Sequence, residues 1–467
     1  MKNKYLIIVA FFLLVQPTYA QSNSFLKIFD NGELGKEYVG EVYEEPNCIY
    51  LFSSVVIDEN LNSVIALKCI SKTDGTIENK YIDSANIPER YEINGGVNLG
   101  KKHFFTGFHK TANGSKANDY FLFGFDKKNK IVDNVFGKEN ISDISRDITA
   151  DNDSNVIICG QVWKKNSEFD YDTFISKHDT LGNTIWHTLV PARYSNIRAQ
   201  SVTTDNENNI YVLADVDGFG QGIRHIKLIK LDTHGDTLWT KPYIGGSGIV
   251  SNIIFNRRGN LLASVTADFD GQGRGFTLME IDTNGKMLWS KSYHDVLNAN
   301  VFSKKVIELK NGGYAVALRV EHPVLLIFDE DGNVKKSKIF KDINFHSIKS
   351  LLELDDGSFV LAGNIHEFNQ EIPRVMWLLK TDPDWDFIST TTDSYFPDFK
   401  LYPNPTDGIV YAENIDYSKV WVINVMGQLV KSFDSSQAIN MSDLPSGNYF
   451  LYFETKQGTV VQQLNKK

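Results

Sequence analysis

Arginines carry the clearest chemical potential in this chain. Arg224, Arg274 and Arg374 each stand eight positions before an aspartate, Asp232, Asp282 and Asp382, that anchors a recurrent turn signature. Equal register in repeated units predicts that the three guanidiniums share one face. Guanidiniums so placed hold a carboxylate or an anionic sugar through paired N–H donors. Two glycine-rich loops accompany them, Asp215-Val-Asp217-Gly-Phe-Gly-Gln-Gly222 and Asp268-Phe-Asp270-Gly-Gln-Gly-Arg-Gly275. Both join the second and third strands of a unit, and Gly245-Gly246-Ser247-Gly248 should emerge on the same face. Asp217 and Asp270 therefore complete the candidate ligand-binding set. The competing reading treats these charges as solvated loop residues that offset nearby acids.

Other chemistry is sparse. The ten histidines show no His-x-x-x-His pair for zinc, and Gly-x-Gly cradles a phosphate only where a strand feeds a helix. Ile249 stands where a nucleophile elbow around Ser247 needs its second glycine. The run Asp151-Asn152-Asp153-Ser154-Asn155 lacks the Gly and distant Glu of a calcium loop, so it reads as a solvated hairpin. Cys48 and Cys69 fall on neighbouring strands and are open to two readings, a disulfide or two buried thiols; Cys159 is unpaired in both. No metal and no cofactor is expected.

Elements to position these groups are strand-like. In 467 residues, 42% are hydrophobic, 12% aromatic and 23% charged, a globular profile rich in strand formers. The net charge of −10 excludes the basic footprint of a nucleic-acid binder. One signature recurs, as Asp179-Thr-Leu-Gly182 with Trp186, Asp232-Thr-His-Gly235 with Trp239, and Asp282-Thr-Asn-Gly285 with Trp289. Weaker copies centre on Asp74, Asp126, Asp329 and Asp382, so the steps are 52, 53, 53, 50, 47 and 53. A period near 50 marks a propeller blade. In the fifth unit the strands read Val250–Phe255, Leu261–Ala267, Phe276–Asp282 and Met287–Tyr293, with turns between them. The Asp side chain is expected to accept backbone N–H groups across the turn, Gly to supply positive φ, and Trp to cover the flank of the blade. The expected fold is all-β: a seven-bladed β-propeller over residues 21–390, closed by the segment from Phe25 to Asp30, then a linker, 391–398, and a small Ig-like β-sandwich, 399–467.

The ends of the chain are addresses. Lys2 and Lys4, the apolar run Tyr5–Val15, and the small residues of Thr18-Tyr19-Ala20 read as a signal peptide, 1–20. Its removal takes two lysines and leaves a net charge of −12. No segment is long and apolar enough to span a membrane as a helix. Residues 399–467 read as short alternating strands broken by Pro, Gly and Asn turns, enough for a small sandwich.

Two resemblances add to this. The repeats are similar to propeller repeats common in secreted proteins of the Bacteroidetes. Quinoprotein and sialidase motifs are near, but their Asp–Gly or Gly–Trp spacings differ. The tail resembles the type A C-terminal sorting domain of type IX secretion substrates. The residues that carry the likeness are Tyr402, Pro403, Asn404, Pro405, Gly408, Gly427, Leu444, Gly447 and Tyr449, with a departure at Gln462-Gln463-Leu464. It implies the type IX machinery as a partner through 399–467, cleavage ahead of the domain, and release or attachment at the outer cell surface. The functional expectation is a binding or scaffold module for an extracellular glycan or protein. The alternative is a glycan-acting hydrolase or lyase with carboxylates in the propeller funnel.

Overall fold

The computed structural model describes residues 24–383 and 400–467, apart from 30–36, 57–62, 82–88, 112–117, 127–128, 138–140, 164–170, 192–194, 219–223, 244–248, 268–274, 294–301, 320–321, 341–346, 366–374, 414, 425–428, 436–437 and 456–457. Every described element is a β-strand. Up to Lys380 these form seven four-stranded antiparallel sheets. The first sheet runs Glu37–Glu44, Cys48–Val56, Ser63–Ser71, Ile77–Tyr81, and the second Glu89–Leu99, Lys102–Thr111, Asn118–Asp126, Asn129–Phe136. The third runs Asp143–Ala150, Val156–Trp163, Tyr171–His178, Thr184–Val190, and the fourth Ser195–Thr204, Ile210–Gly218, Arg224–Leu231, Thr237–Tyr243. The fifth is Ile249–Phe255, Leu261–Ala267, Gly275–Ile281, Met287–Tyr293, and the sixth Phe302–Glu308, Tyr314–Arg319, Pro323–Phe328, Val334–Ile339. In the seventh, Ser347–Glu353, Phe359–Ile365 and Val375–Lys380 are followed in space by Phe25–Phe29 from the start of the chain.

The first strands touch one another in sequence, and the seventh touches the first, so the sheets close into a ring about an axis. That is a β-propeller. Burial follows from it. Middle strands lie between two neighbouring sheets, so Leu261–Ala267 and Gly275–Ile281 are buried at every position and read as unbroken apolar runs. Outer strands cover one side only, and Thr237–Tyr243 alternates exposed with half-buried.

The tight turns explain the repeat. Asp232 Oδ1 accepts His234 N and Asp236 N, both at 2.9 Å, while Gly235 N donates to Asp232 O at 3.1 Å. Asp179, Asp282 and Asp329 repeat that geometry. The Asn183 side-chain amide, together with the backbone donors, holds the Asp179 carboxyl below the ordinary range, and the backbone donors do the same for Asp232. Two of the weaker copies differ. The first turn is one residue longer, with Ser71 in the anchoring place: Ser71 N donates to Thr76 O and Gly75 N to Ser71 O. Asp126 ends its strand opposite Asn129, in a connection too short for the four-residue turn.

Each anchor Trp covers the turn of the following sheet. Trp186 lies over Gly235, Trp239 over Gly285 and Trp289 over Gly332. Trp186 Nε1 also donates to Thr233 O in that sheet, at 3.1 Å. The signature therefore links successive sheets. The seventh sheet has no Trp of its own at this position; Phe25 takes it and packs against Gly75 of the first sheet.

His178 is buried beneath the third turn, with Nε2 3.0 Å from Ser176 Oγ. Burial, aided by the nearby His187 and opposed by Asp179, pushes its pKa down to about 4. The unfolded chain takes up this proton below about 6.5, whereas the folded chain does so only below about 4. Stability from His178 is therefore present above 6.5 and lost as pH falls toward 4, by at most about 3 kcal/mol. Melting temperatures at pH 7 and 4.5 are expected to differ less in His178→Gln than in the native protein. Equal differences would remove His178 from the account.

Cys48 and Cys69 form a disulfide across adjacent strands, with Cα atoms 5.6 Å apart, and Cys159 is free and buried. In the tail, a three-stranded sheet (Lys400–Tyr402, Ile409–Glu413, Ile439–Asn440) and a four-stranded one (Leu429–Asp434, Tyr417–Asn424, Gly447–Thr455, Gly458–Lys466) share one core. Leu401, Val410, Val420, Leu451, Phe453 and Leu464 belong to it.

Candidate binding site at the ring axis

Every first strand carries a β-bulge at the same place. The pairing shifts between Val39 and Glu41, Ile93 and Gly95, Ser145 and Asp147, Ala199 and Ser201, Val250 and Asn252, Ser303 and Lys305, and Ile348 and Ser350. A bulge leaves one residue unpaired and re-aims its neighbours. First strands are also sheet edges, whose free N–H groups require acceptors.

Side chains just past the bulge supply those acceptors, from one sheet to the next. Val202 N donates to Asp147 Oδ2 at 3.1 Å, Ile253 N to Ser201 Oγ at 3.2 Å, and Val306 N to Asn252 Oδ1 at 3.2 Å. Val42 N donates to Ser350 Oγ at 3.4 Å, across the closure of the ring. Gly95 has no side chain to offer, and Ile148 N turns to the Oδ1 of its own neighbour Asp147, at 2.9 Å. The belt is also linked side chain to side chain. Ser201 Oγ donates to Asp147 Oδ2 at 2.5 Å, Asn252 Nδ2 to Ser201 Oγ at 3.0 Å, and Lys305 Nζ to Glu41 Oε2 at 2.9 Å. Ser350 Oγ donates to Glu41 Oε1.

Electrostatics in the belt are coupled. Burial raises the Asp147 pKa against the pull of Lys305 and three hydrogen bonds. Burial also works against the Lys305 charge, but Glu41 and Asp147 outweigh it and raise its pKa. One lysine thus serves two carboxylates.

A second cluster lies where the third and fourth sheets meet the axis. Arg146 is the extra residue of its bulge, and Gln200 that of the next. Arg198 Nε donates to Asp215 Oδ2 at 2.9 Å and its Nη2 at 2.5 Å, while Gln200 Nε2 donates to Asp215 Oδ1 at 2.6 Å. Both oxygens of Asp215 are therefore engaged. Arg146 Nη2 reaches Gln161 Oε1 at 3.3 Å. Its Nε is sealed from solvent with no acceptor among the described residues. Burial, joined by the like charge of Arg198, lowers the Arg146 pKa; Asp215, Glu92 and Tyr171 offset only part of this. Two residues beyond Gln161, the Trp163 indole N–H is sealed and unpartnered among the described residues as well. Its ring meets Tyr171 edge-on at 4.7 Å.

Of the residues singled out in sequence, Asp217 is half-buried and pairs in register with Arg224 at the start of the next strand. Arg274, Arg374, Asp270 and Gly427 lie outside the described residues, as do residues 1–20, read as a signal peptide, and the expected linker, 391–398. Asp151 is buried, bonded to its own turn and paired with Lys177 at 2.7 Å. No group of metal-binding side chains occurs among the described residues. The sequence marks the axis belt only by spacing: positions 41, 95, 147, 201, 252, 305 and 350 recur at nearly the repeat's own step.

In the tail, the Tyr-Pro-Asn-Pro segment meets the end of the last strand. Asn404 Oδ1 accepts Asn465 N at 3.0 Å, and Thr406 O accepts Lys467 N at 2.8 Å. Tyr402 is exposed and stacks on Tyr411. Gly408 O accepts Met441 N, half-buried Leu444 packs on the core, and Gly447 opens a strand with φ 155°. Tyr449 is buried with its hydroxyl on Pro445 O at 2.8 Å.

Comparison with known proteins agrees with the tail's reading. Residues 400–467 match the secretion system C-terminal sorting domain. The tail therefore marks the chain for type IX export, to a secreted or cell-surface location, with the type IX machinery as its partner. No curated protein matches the chain. Among solved structures, a protein of unknown function from Bacteroides caccae is similar at 16% identity and a TM-score of 0.40, over 63% of this chain and 94% of that one. One of unknown function from Dyadobacter fermentans has 9% identity and a TM-score of 0.46, over 76% and 98%. The β-propeller domain of the Trilobed protease from Pyrococcus furiosus has 12% identity and a TM-score of 0.44, over 74% and 95%. No helix among the described residues is long and apolar enough to cross a membrane.

Proposed function

We propose that this chain is a seven-bladed propeller that works outside the cell as a binding or scaffold module for a glycan or protein. An Ig-like sandwich exports it after a signal peptide, residues 1–20, has carried it to the periplasm. The observation that supports the binding role is the closed ring of seven four-stranded sheets, a rigid frame that holds many loops at its faces. Arg224, Arg274 and Arg374, with Asp217 and Asp270, are proposed as outer contacts of the same module. The hydrolase or lyase alternative has less support. Glu41 is held by Lys305 and Ser350, and Asp147 by Ser201 and two backbone N–H groups, so both act as scaffold.

The test is thermal unfolding of residues 21–467 against neutral oligosaccharides, acidic oligosaccharides and calcium, followed by assay of any binder for cleavage. A ligand of the folded state raises the melting temperature. A shift without cleavage is the expected result. Cleavage at a measurable rate would transfer the chain to the enzyme class.

A further inference from the structure

One outer strand of the ring differs from the rest. Thr184–Val190 ends the third sheet: Tyr171–His178 pairs along one side of it, and the other side has no backbone partner among the described residues. Such an edge is a template for a further strand, and charged residues normally blunt it. Each of the other six outer strands contains at least one lysine. Thr184–Val190 contains no Lys, Arg, Asp, Glu or Pro. Lys241, Lys291 and Lys338 stand nine positions after their anchor Asp, where this strand has Thr188. Lys241 and Lys291 donate to the turn of the next sheet, and Thr188 Oγ1 keeps that bond, to Gly235 O at 2.9 Å. The contact between sheets is thus retained and the charge on the edge is gone.

The two faces of the strand are unlike. Trp186 and Thr188 bind the fourth sheet, whereas Ile185, His187 and Leu189 alternate with them and are exposed, the two aliphatic side chains by 51% each. We propose that this edge joins a second copy of the chain, strand to strand and antiparallel, about a two-fold axis at His187. The sequence complements itself in that register. Ile185 faces the partner's Leu189, Leu189 the partner's Ile185, Trp186 the partner's Thr188, and His187 the partner's His187. Two aliphatic pairs leave water, and no lysine or carboxylate stands opposite its like. This match of the strand with itself decides for a second copy over an unrelated strand. An isologous contact uses the same edge on both copies, so assembly stops at two. The inference goes beyond the binding-module reading and does not depend on it.

The experiment measures the mass of residues 21–467 by sedimentation equilibrium across a range of protein concentrations. A reversible monomer–dimer equilibrium is expected, with nothing larger. Ile185→Lys and Leu189→Glu, each alone, are expected to weaken the dimer at least tenfold while circular dichroism stays native. The double variant, Ile185→Lys with Leu189→Glu, is expected to recover a dimer that salt weakens, because the two-fold register sets each introduced cation against an introduced anion. Leu238→Lys, at the matching place on the fourth sheet, is expected to leave the equilibrium unchanged. A chain that stays monomeric at every concentration would overturn the proposal, as would a dimer indifferent to both single variants. An equal loss from Leu238→Lys would remove the contact from this edge. Dissociation by the single variants with no recovery in the double variant would overturn the register, and association beyond two would overturn the closure.

Discussion

Deletion of residues 21–31 is expected to destroy the single cooperative melt of the ring. Phe25–Phe29 is the outer strand of the seventh sheet and pairs with Val375–Lys380 through five residue pairs, Phe25 opposite Lys380 to Phe29 opposite Met376. Phe25, Leu26 and Phe29 are all buried. Phe29 lies in a core shared with Val39, Val42 and Leu51 of the first sheet and Leu378 of the seventh, so the strand closes the ring as well as the sheet. Truncating one buried Phe to Ala costs about 3–5 kcal/mol. Two of them and the ladder approach the roughly 5–15 kcal/mol that separates native from unfolded domains. Loss of the strand also bares Val375–Lys380 as an open edge, which invites association between chains. Calorimetry of the deleted and intact proteins measures the effect. A broad or absent transition, with oligomers by light scattering, is the expected result; an unchanged melt would sink the closure argument. Phe25→Ala alone should lower the midpoint without removing the transition.

That strand was legible in the sequence because its pattern copies the outer strands that follow the turns. The same holds for the fifth unit, where strands expected from alternation and turn residues agree with those observed to within a residue at most ends. Local chemistry made this possible: an Asp that accepts its own turn's N–H groups and a Gly with positive φ need no tertiary context. The axis belt does need it. Its seven positions hold Glu41, Gly95, Asp147, Ser201, Asn252, Lys305 and Ser350, which share no chemistry except a place one residue past a bulge. A bulge is a backbone event between strands, and a single sequence carries no mark of it. Arg146 is illegible for the same reason: it meets Arg198 and Asp215 only when the third and fourth sheets pack against each other. Cys48 and Cys69 show the intermediate case. Adjacent strands could be read, but not that Cys48 faces Ser71 and Cys69 faces Tyr50, the offset that brings the two sulfurs together. The spacing predicts that the anchor Trp covers its own blade, whereas it covers the next, because its side chain leaves the sheet on the side the neighbouring turn approaches.

Gly285→Ala and Gly259→Ala separate that inter-sheet contact from backbone strain. Both glycines have nearly the same φ, 77° and 78°. An added Cβ at Gly259 meets nothing within 4 Å, so only the left-handed backbone is charged against it, roughly 1–2 kcal/mol. At Gly285 the same Cβ would lie 2.7 Å from Lys241 Cδ and 2.9 Å from the Trp239 ring, atoms of the preceding sheet. Overpacking adds about 1–3 kcal/mol. Gly285→Ala should therefore lose roughly 2–5 kcal/mol in denaturant unfolding, clearly more than Gly259→Ala. Gly235→Ala, with Trp186 at 2.8 Å, should behave like Gly285→Ala, and Gly357→Ala, with nothing near, like Gly259→Ala. The decisive comparison is a double-mutant cycle. With Trp239→Leu in place, the excess cost of Gly285→Ala should shrink toward that of Gly259→Ala, a coupling on the order of 1 kcal/mol or more. No coupling would mean that the turn glycine serves its own hairpin alone. Coupling at Trp186, Trp239 and Trp289 would make the signature a blade-to-blade joint, which explains why Asp, Gly and Trp recur together: the Asp shapes the turn, and the Gly leaves room for the previous sheet's Trp.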